Sequence, residues 1–221
     1  MAKHRGYDVS AVTLIYGQTH ERELASAVSV AGALGMRHRA IDVAFFKELA
    51  WYSALTSPDR FAIPTGRSAR EMSAGIPMTY VPMRNTLFVT LGAALLESEA
   101  LSAIEVAGTP ADEIDATLFI AANALDYSGY PDCRPEYYAA TQETLRLGSK
   151  LGTQYAAPIK LETPIIGLGK ADIVRLGVEL GAPIELTWSC YEGGVSPCGR
   201  CDSCLLRARG FAEAGVVDPA L

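Results

Sequence analysis

The sequence predicts an α/β protein, with a parallel sheet covered by helices on both faces and a C-terminal metal-binding segment. Runs of β-branched residues alternate with longer segments of helical spacing, which is the pattern of a parallel sheet. A composition of 49% hydrophobic and 20% charged residues is sufficient for a buried core. Four cysteines near the C-terminus follow a spacing typical of metal ligands.

The first half of the chain predicts two strands and two helices. Residues 8–16 are rich in β-branched side chains and form the first strand, and alanines, valines and leucine at helical spacing predict a helix over 20–34. A second strand over 37–43 precedes a short helix at 44–52. Four prolines make 56–82 loop-like, and a loop of this length is usually functional or mobile.

The second half continues the alternation and ends in the metal segment. We expect one domain over 1–184 and a zinc-binding segment with a closing helix over 185–221. The predicted elements are a long apolar helix at 85–101, a strand at 115–121, a helix at 134–151, a short strand at 159–162, a helix at 170–180 and the closing helix at 205–214.

Charge and termini restrict the partners. With 25 acidic against 19 basic residues the net charge is −6, which argues against a broad nucleic-acid-binding face. The polar N-terminus shows no signal-peptide core, and no apolar run approaches the ~18 residues of a membrane span. We therefore expect a cytoplasmic protein with no nucleic-acid and no membrane partner.

The cysteines fall as C-x7-C-x2-C-x2-C, at positions 190, 198, 201 and 204. In a reducing compartment, clustered cysteines bind metal rather than form disulfides. Four sulfurs at roughly 2.3 Å hold Zn²⁺ in a closed, structural site. An iron–sulfur cluster, disulfides or no ligand are the alternatives. A zinc ribbon for nucleic acid is disfavoured, because the segment carries only Arg200 as a basic residue.

A polar segment, Asn123-Ala-Leu-Asp-Tyr-Ser-Gly-Tyr-Pro-Asp-Cys-Arg134, follows the third predicted strand. Its hydrogen-bonding and aromatic side chains suit a flat polar heterocycle, and ligands of parallel sheets bind beyond the C-terminal strand ends. The alternative is a turn with solvated polar residues. Cys133 is expected to be a packed small residue rather than a nucleophile.

Two basic residues lie at predicted helix N-termini, where they oppose the helix dipole unless an anion is shared. Arg84 and Asn85 open one helix, and Lys170 opens another. A phosphate or a substrate carboxylate would resolve the conflict, and the alternative is a side chain that reaches solvent. Gly167-Leu-Gly-Lys170 lacks the spacing of a Walker loop.

Together these segments resemble the 7-cyano-7-deazaguanine synthase family (QueC), over almost the whole chain. Members are ligases of the Rossmann-like, adenine nucleotide α-hydrolase type. The matching segments are Tyr16-Gly-Gln18, Tyr80-Val-Pro-x-Arg-Asn85, the run Asn123–Arg134, Glu162-Thr-Pro164 and the cysteine quartet. Met83 stands where the family usually has a smaller residue.

The resemblance implies that 7-carboxy-7-deazaguanine and ammonia are joined at the expense of ATP with Mg²⁺, in a homodimer. Arg84 and Lys170 would then be catalytic donors to phosphate and oxyanion, and Tyr16 and Gln18 would contact the nucleotide. The substrate would be bound by Asn85, Asp126, Tyr127, Ser128, Tyr130 and Asp132.

The sequence departs from the family in its nucleotide loop. Ser-Gly-Gly-x-Asp-Ser, together with the strand before it, has no counterpart here. Losing about four buried aliphatic side chains at ~1.5–3 kcal/mol each would remove ~6–12 kcal/mol, comparable with a domain's stability of ~5–15 kcal/mol. We expect the chain as printed to be N-terminally truncated, through a misassigned start or a fragmentary record, and inactive with ATP. Extra sequence at 101–113 predicts an enlarged helix–strand connection.

Two other functions fit parts of the sequence. Another ATP pyrophosphatase-type ligase or tRNA-thiolating enzyme would share the fold, but the substrate segment argues against it. A non-catalytic zinc protein that binds a deazapurine or a partner would explain the absent phosphate loop. Such a protein would bind the deazapurine base but not the nucleotide, which would distinguish it from the enzyme.

Overall fold

A computed structural model describes residues 1–18, 22–124 and 130–220. The chain divides into two compact units. The first unit contains Met1–Pro82 and the chain from Leu168 onward, and the second contains Met83–Ala124 and Tyr130–Gly167. Each unit has its own two-stranded parallel sheet.

The first unit is built around strands β1 (Ser10–Ile15) and β2 (Arg37–Asp42), which pair in parallel from Ser10 opposite Arg37 to Ile15 opposite Asp42. Helix α1 (Arg22–Ala33) makes the crossover between them. Of the β1 residues, only Leu14 is buried. The remaining helices of this unit are α2 (Phe46–Leu49), α3 (Ala69–Met72), α7 (Lys170–Glu179) and α8 (Asp202–Ala214).

The second unit pairs strand β3 (Thr117–Phe119) with β4 (Lys160–Glu162) in parallel. Its helices are α4 (Arg84–Glu105), α5 (Pro135–Gly148) and α6 (Lys150–Thr153). The core packs α4 against the sheet and α6 through buried apolar side chains: Ala93, Ala100, Ala116, Leu151 and Ile159. This arrangement places the first turn of α4 beside the turn Pro131–Cys133.

The α/β class and the parallel pairing of strands are confirmed, whereas three details differ from the sequence-based expectation. The described strands form two separate sheets rather than one. The helix expected over 134–151 is broken, because Ser149 is extended and its hydroxyl accepts a hydrogen bond from Gly152 N–H as a new N-cap. The loop 56–82 contains helix α3, started by a Ser68–Glu71 capping box.

Helix α4 is the one element of the described chain long and apolar enough to compare with a membrane span. It is 22 residues long, an 18-residue window has a mean hydropathy of 1.6, and only 17% of that window is buried. By length and composition, this one helix of the described chain could cross a membrane. Glu97 and Glu99 interrupt the apolar run of this helix, so the expectation about uninterrupted apolar runs is not contradicted, although the helix as a whole meets the looser test of length and composition. The finding is weak evidence for a span, since core helices meet the same criteria.

Helices α7 and α8 approach each other closely at a glycine. A Cβ on Gly210 would lie 2.7 Å from Cβ of Lys170 and 3.3 Å from its carbonyl carbon. A distance of 2.7 Å is shorter than real Cβ contacts, so something would have to shift. The carbonyl carbon belongs to the backbone of α7 and cannot turn aside as a flexible side chain could. The buried glycine of α8 therefore sets how near that helix comes to the N-terminus of α7.

We expect Gly210→Ala to lower the free energy of unfolding by about 1–3 kcal/mol, because the added methyl group overpacks this contact. Gly32→Ala is the matched control, since a Cβ there meets nothing within 4 Å and should be neutral or stabilising by up to about 1 kcal/mol. Urea unfolding of both variants measures the difference. Equal effects at the two positions would contradict the contact.

Candidate metal centre and substrate site

Helix α8 and the loop before it bring the four cysteines together. Cys201 is the N-cap of α8 and Cys204 lies in its first turn, while Cys190 and Cys198 come from the preceding loop. Two of them, Cys190 and Cys201, have exposures of 1% and 0%. Ile63, Trp188 and Tyr191 pack against the cluster. The quartet is therefore enclosed.

The sulfur geometry fits a tetrahedral metal ion. All four Sγ atoms lie within 4.8 Å of one another, and those of Cys198 and Cys204 are 3.9 Å apart. A tetrahedron with metal–sulfur bonds of roughly 2.3 Å has edges of about 3.8 Å. Small movements would thus place all four sulfurs at bonding distance. Four thiolates leave no position for water, so the site is structural in character.

Backbone N–H groups support the sulfurs. The Cys190 sulfur accepts from Cys198 N–H at 3.3 Å, and the Cys198 sulfur accepts from Cys201 N–H at 3.3 Å and Arg200 N–H at 3.5 Å. Burial raises the pKa of the Cys198 thiol, but the backbone donors outweigh it and the pKa falls to about 7. Burial instead raises the pKa of Cys201 and Cys204. The loop is thus arranged to stabilise negative sulfur at Cys198.

Part of the long loop is attached to this segment. Thr65 forms an antiparallel bridge with Cys201, and Gly66 N–H donates to Arg200 O at 2.9 Å. The guanidinium of Arg67 makes a two-pronged ion pair with Asp202, whose side chain is completely buried, and its Nε–Oδ1 distance is 3.1 Å. Residues 65–67 are therefore held by the metal segment.

A second buried ion pair, between Arg207 and Asp218, holds the C-terminal tail in place. Arg207 donates to both carboxylate oxygens of Asp218, to the Thr187 hydroxyl at 2.9 Å and to the Ser189 hydroxyl at 3.3 Å. Burial raises the pKa of Asp218, yet the bond from Arg207 outweighs it and the net pKa is lowered. The tail is thus joined to the residues that precede Cys190.

In the second unit, Asn85 joins the two polar segments that the sequence singled out. Its backbone N–H donates to Asp132 Oδ2 at 3.1 Å, and its Nδ2 donates to Asp132 O at 3.0 Å and to Cys133 Sγ at 3.3 Å. Both Asn85 and Asp132 are buried. The Asp132 carboxylate thus supplies an anion at the N-terminus of α4, where Arg84 opposes the dipole.

Two tyrosines lie beside this cluster. The Tyr137 hydroxyl bonds the Thr86 hydroxyl at 2.9 Å. The hydroxyl of Tyr138, a residue only 5% exposed, is the one buried side-chain polar atom of the described chain without a partner. Burial raises the pKa of Tyr138, and Cys133 and Asp132 raise it further. Because its pKa is raised, the Tyr138 phenol is neutral.

Met83, immediately before Arg84, has a left-handed backbone with φ of 59° and ψ of 16°. This conformation costs a residue with a side chain roughly 1–2 kcal/mol. Met83 is the N-cap of α4 but makes no side-chain cap, and its exposure is 57%. A glycine would adopt the same backbone without strain.

The structure positions the other predicted site residues as follows. Tyr16 is buried, and its backbone N–H donates to Gln18 Oε1 at 2.9 Å. Lys170 begins α7 and is half-buried. Tyr130 is half-buried at the start of the turn that contains Asp132. The remaining predicted substrate residues lie outside the described residues: Asp126, Tyr127 and Ser128.

Sequence reasoning missed Arg67, Asp202 and Tyr138. An acidic residue directly after a cysteine at a helix start is a weak signal for Asp202, but nothing in the sequence indicates its partner 135 positions away. Tyr138 lies on an otherwise ordinary helix face. It stands out only because its hydroxyl is buried without a hydrogen-bond partner in the part of the chain that the structure describes.

Comparison with known proteins identifies the family of the chain. The family model for the queuosine biosynthesis protein QueC matches residues 1–215. A 7-cyano-7-deazaguanine synthase of Nostoc punctiforme is 45% identical over 219 residues, covering 99% of this chain and 90% of the relative. Those of Thermosynechococcus vestitus and Thermoplasma acidophilum are 47% and 44% identical, covering 99% and 97% of this chain and 86% and 81% of the relatives. The chain therefore belongs to the QueC family.

Proposed function

We propose that the protein acts in the ATP-dependent conversion of 7-carboxy-7-deazaguanine and ammonia to 7-cyano-7-deazaguanine, a step of queuosine biosynthesis. The supporting observation is the junction at Asn85, which joins the segments Tyr80–Asn85 and Asn123–Arg134 through Asp132 and Cys133. Relatives over nearly the whole chain carry the name of this synthase.

The proposed chemistry has two activations. The substrate carboxylate attacks the α-phosphate of ATP, releasing pyrophosphate, and ammonia then displaces AMP to give an amide. The amide oxygen then attacks the α-phosphate of a second ATP, again releasing pyrophosphate, and loss of AMP and of the two amide protons leaves the nitrile. Mg²⁺ accompanies each ATP. We assign Arg84 and Lys170 to the phosphate and oxyanion charges, and Tyr16 and Gln18 to the nucleotide.

The remaining proposed roles concern substrate and metal. The deazaguanine would be bound by the polar set Asn85, Asp126, Tyr127, Ser128, Tyr130 and Asp132. Because Asp132 already accepts the Asn85 N–H through one oxygen, its other oxygen is the one we assign to the substrate. A single structural Zn²⁺ per chain would be held by Cys190, Cys198, Cys201 and Cys204.

Titration calorimetry with 7-carboxy-7-deazaguanine tests the substrate assignment. Asp132→Asn keeps the side-chain shape but removes a charge-assisted hydrogen bond, so affinity should fall about 10-fold or more. Asp115→Asn is the control, since that carboxylate is exposed and pairs with Lys160 at 2.9 Å. An unsubstituted protein that does not bind the base would contradict the proposal.

A second candidate is a non-catalytic zinc protein that binds the base. The observation in its favour is that the printed sequence contains no Ser-Gly-Gly-x-Asp-Ser loop, whose backbone N–H groups would cradle the phosphates. We expect the printed polypeptide by itself to bind the base but to release no pyrophosphate from ATP. Pyrophosphate release as fast as that of a relative would contradict this second candidate.

Further aspects are proposed on the resemblance. The fold would be Rossmann-like, of the adenine nucleotide α-hydrolase type. The proposed domains are 1–184 and 185–221. We also propose a homodimer in the cytoplasm, without nucleic-acid or membrane partners.

A further inference from the structure

Part of the long loop forms one wall of the cysteine quartet. The Ile63 side chain packs against the cluster, and Thr65 forms an antiparallel bridge with Cys201, which is itself one of the four cysteines. The N–H of Gly66 donates to Arg200 O at 2.9 Å. The backbone of Cys201 is therefore held by a distant part of the chain as well as by its own loop.

A buried ion pair holds the side of the quartet that belongs to helix α8. Asp202 directly follows Cys201 and its side chain has zero exposure; its Oδ1 accepts from Arg67 Nε at 3.1 Å, and its Oδ2 accepts from the same guanidinium. Cys201 is the N-cap of α8 and Cys204 lies in its first turn. Because a buried carboxylate is costly without its counter-ion, Arg67 constrains the orientation of this turn and of its two sulfurs.

Charge adds to this geometric argument. Four thiolates around one Zn²⁺ carry a net charge of about −2, and an unpaired carboxylate next to Cys201 would oppose the accumulation of negative sulfur. Arg200, the basic residue within the cysteine segment, pairs with Glu192 at 3.2 Å, and its side chain is 68% exposed. The counter-charge of Asp202 therefore comes from Arg67 in the loop.

We propose that Arg67 is a positioning residue of the metal centre, which acts through Asp202 to hold Cys201 and Cys204 in place for Zn²⁺. The ion pair arranges two ligands, and bound metal in turn fixes the residues to which the loop attaches. Partners behind the metal ligands typically change metal affinity by about 10- to 100-fold, and coupling between two sites is reciprocal. The inference rests on the zinc assignment within the proposed function and is independent of the enzymatic activity.

Metal affinity tests the inference in matched variants. Arg67→Met keeps an unbranched side chain but removes the charge, so Zn²⁺ affinity, measured by competition with a coloured chelator, should fall about 10- to 100-fold. Arg67→Lys restores the charge without the two-pronged geometry and should recover part of the affinity. Arg37→Met is the control, because Arg37 forms an exposed ion pair with Asp8, and it should bind Zn²⁺ like the unsubstituted protein.

A double variant covers the case in which Arg67→Met does not fold. Arg67→Met with Asp202→Asn removes both buried charges and should fold, yet it should still bind Zn²⁺ about 10-fold or more weakly. Co²⁺ supplies a spectroscopic signature, since tetrahedral thiolate coordination gives it intense absorption bands. These bands should require more Co²⁺ to saturate in the Arg67 variants than in the unsubstituted protein.

Reciprocity separates positioning from a merely structural role. Urea unfolding with saturating Zn²⁺ and with a chelator gives the stability cost of the Arg67 substitution in each state. A structural ion pair costs the same with and without metal. Positioning makes the cost larger with metal by the fold-change in affinity, which is about 1.4–2.8 kcal/mol for about 10- to 100-fold.

The outcomes are distinct. Weaker Zn²⁺ binding in a folded Arg67 variant, beside normal binding in Arg37→Met, supports the inference. Unchanged Zn²⁺ affinity in folded Arg67 variants, or an equal stability cost with and without metal, overturns it while the zinc assignment stands. If the unsubstituted protein binds no Zn²⁺, the zinc assignment itself fails, and the inference fails with it.

Discussion

Cys204→Ser should abolish stoichiometric metal binding and unfold the C-terminal segment. A structural Zn²⁺ in small modules contributes about 10–16 kcal/mol of apparent binding free energy, which equals or exceeds the ~5–15 kcal/mol stability of a typical domain. The sulfur of Cys204 is 3.9 Å from that of Cys198, and a hydroxyl there is a poor replacement for a thiolate. Elemental analysis and thermal unfolding, each with and without a chelator, measure the effect.

Cys133 is the internal control. It is also a buried cysteine, but its sulfur accepts a hydrogen bond from Asn85 Nδ2 rather than belonging to the quartet. Cys133→Ala should therefore retain one metal ion per chain, with only a moderate loss of stability. Unsubstituted protein that is purified without metal, and whose four C-terminal thiols react freely, would refute the assignment.

Arg67→Ala should lower the free energy of unfolding by about 3–5 kcal/mol, because it leaves a buried carboxylate without its counter-ion. The Asp202 side chain has zero exposure, and that of Arg67 only 20%. Removing the arginine also releases the residues that bridge to Cys201 and Arg200. Urea unfolding gives the free energy, and limited proteolysis within 63–67 reports the release of the loop.

A surface pair of the same chemistry is the control. Arg37 and Asp8 are 2.8 Å apart, with side-chain exposures of 61% and 87%. Exposed pairs contribute about 0–1 kcal/mol, so Arg37→Ala should be nearly neutral. The double variant Arg67→Met with Asp202→Asn should recover much of the lost stability, since it removes both charges. An Arg67→Ala protein as stable as Arg37→Ala would show that the buried pair is not important.

Much of the secondary structure could be predicted, because strands and helices follow local periodicity. The strand expected over 8–16 is observed as Ser10–Ile15, and the helix expected over 170–180 as Lys170–Glu179. Predicted helix boundaries were wrong where a side chain caps a new helix, as Ser149 does after α5. Helix α4 has a mean hydropathy of 1.6 over an 18-residue window even though two glutamates interrupt its apolar run, because the average spans the whole window.

The candidate sites, like the secondary structure, could be predicted in part. The cysteine spacing predicted a metal quartet, and the structure confirms that the four sulfurs come together. The segment Asn123–Arg134 was predicted to bind substrate, and the described part of it contacts Asn85. Asp132 was predicted to bind substrate; in the structure its carboxylate also accepts a hydrogen bond from the backbone of the first turn of α4.

The sequence by itself determined the alternation of elements, the cysteine quartet and the family, because each depends on residue types at short spacings along the chain. Only the tertiary structure decided that Asn85 meets Asp132 across 47 positions and that Arg67 meets Asp202 across 135. It also decided that Met83 is strained and that the Tyr138 hydroxyl has no hydrogen-bond partner among the described residues. These properties arise from packing between distant segments, which local spacing does not encode.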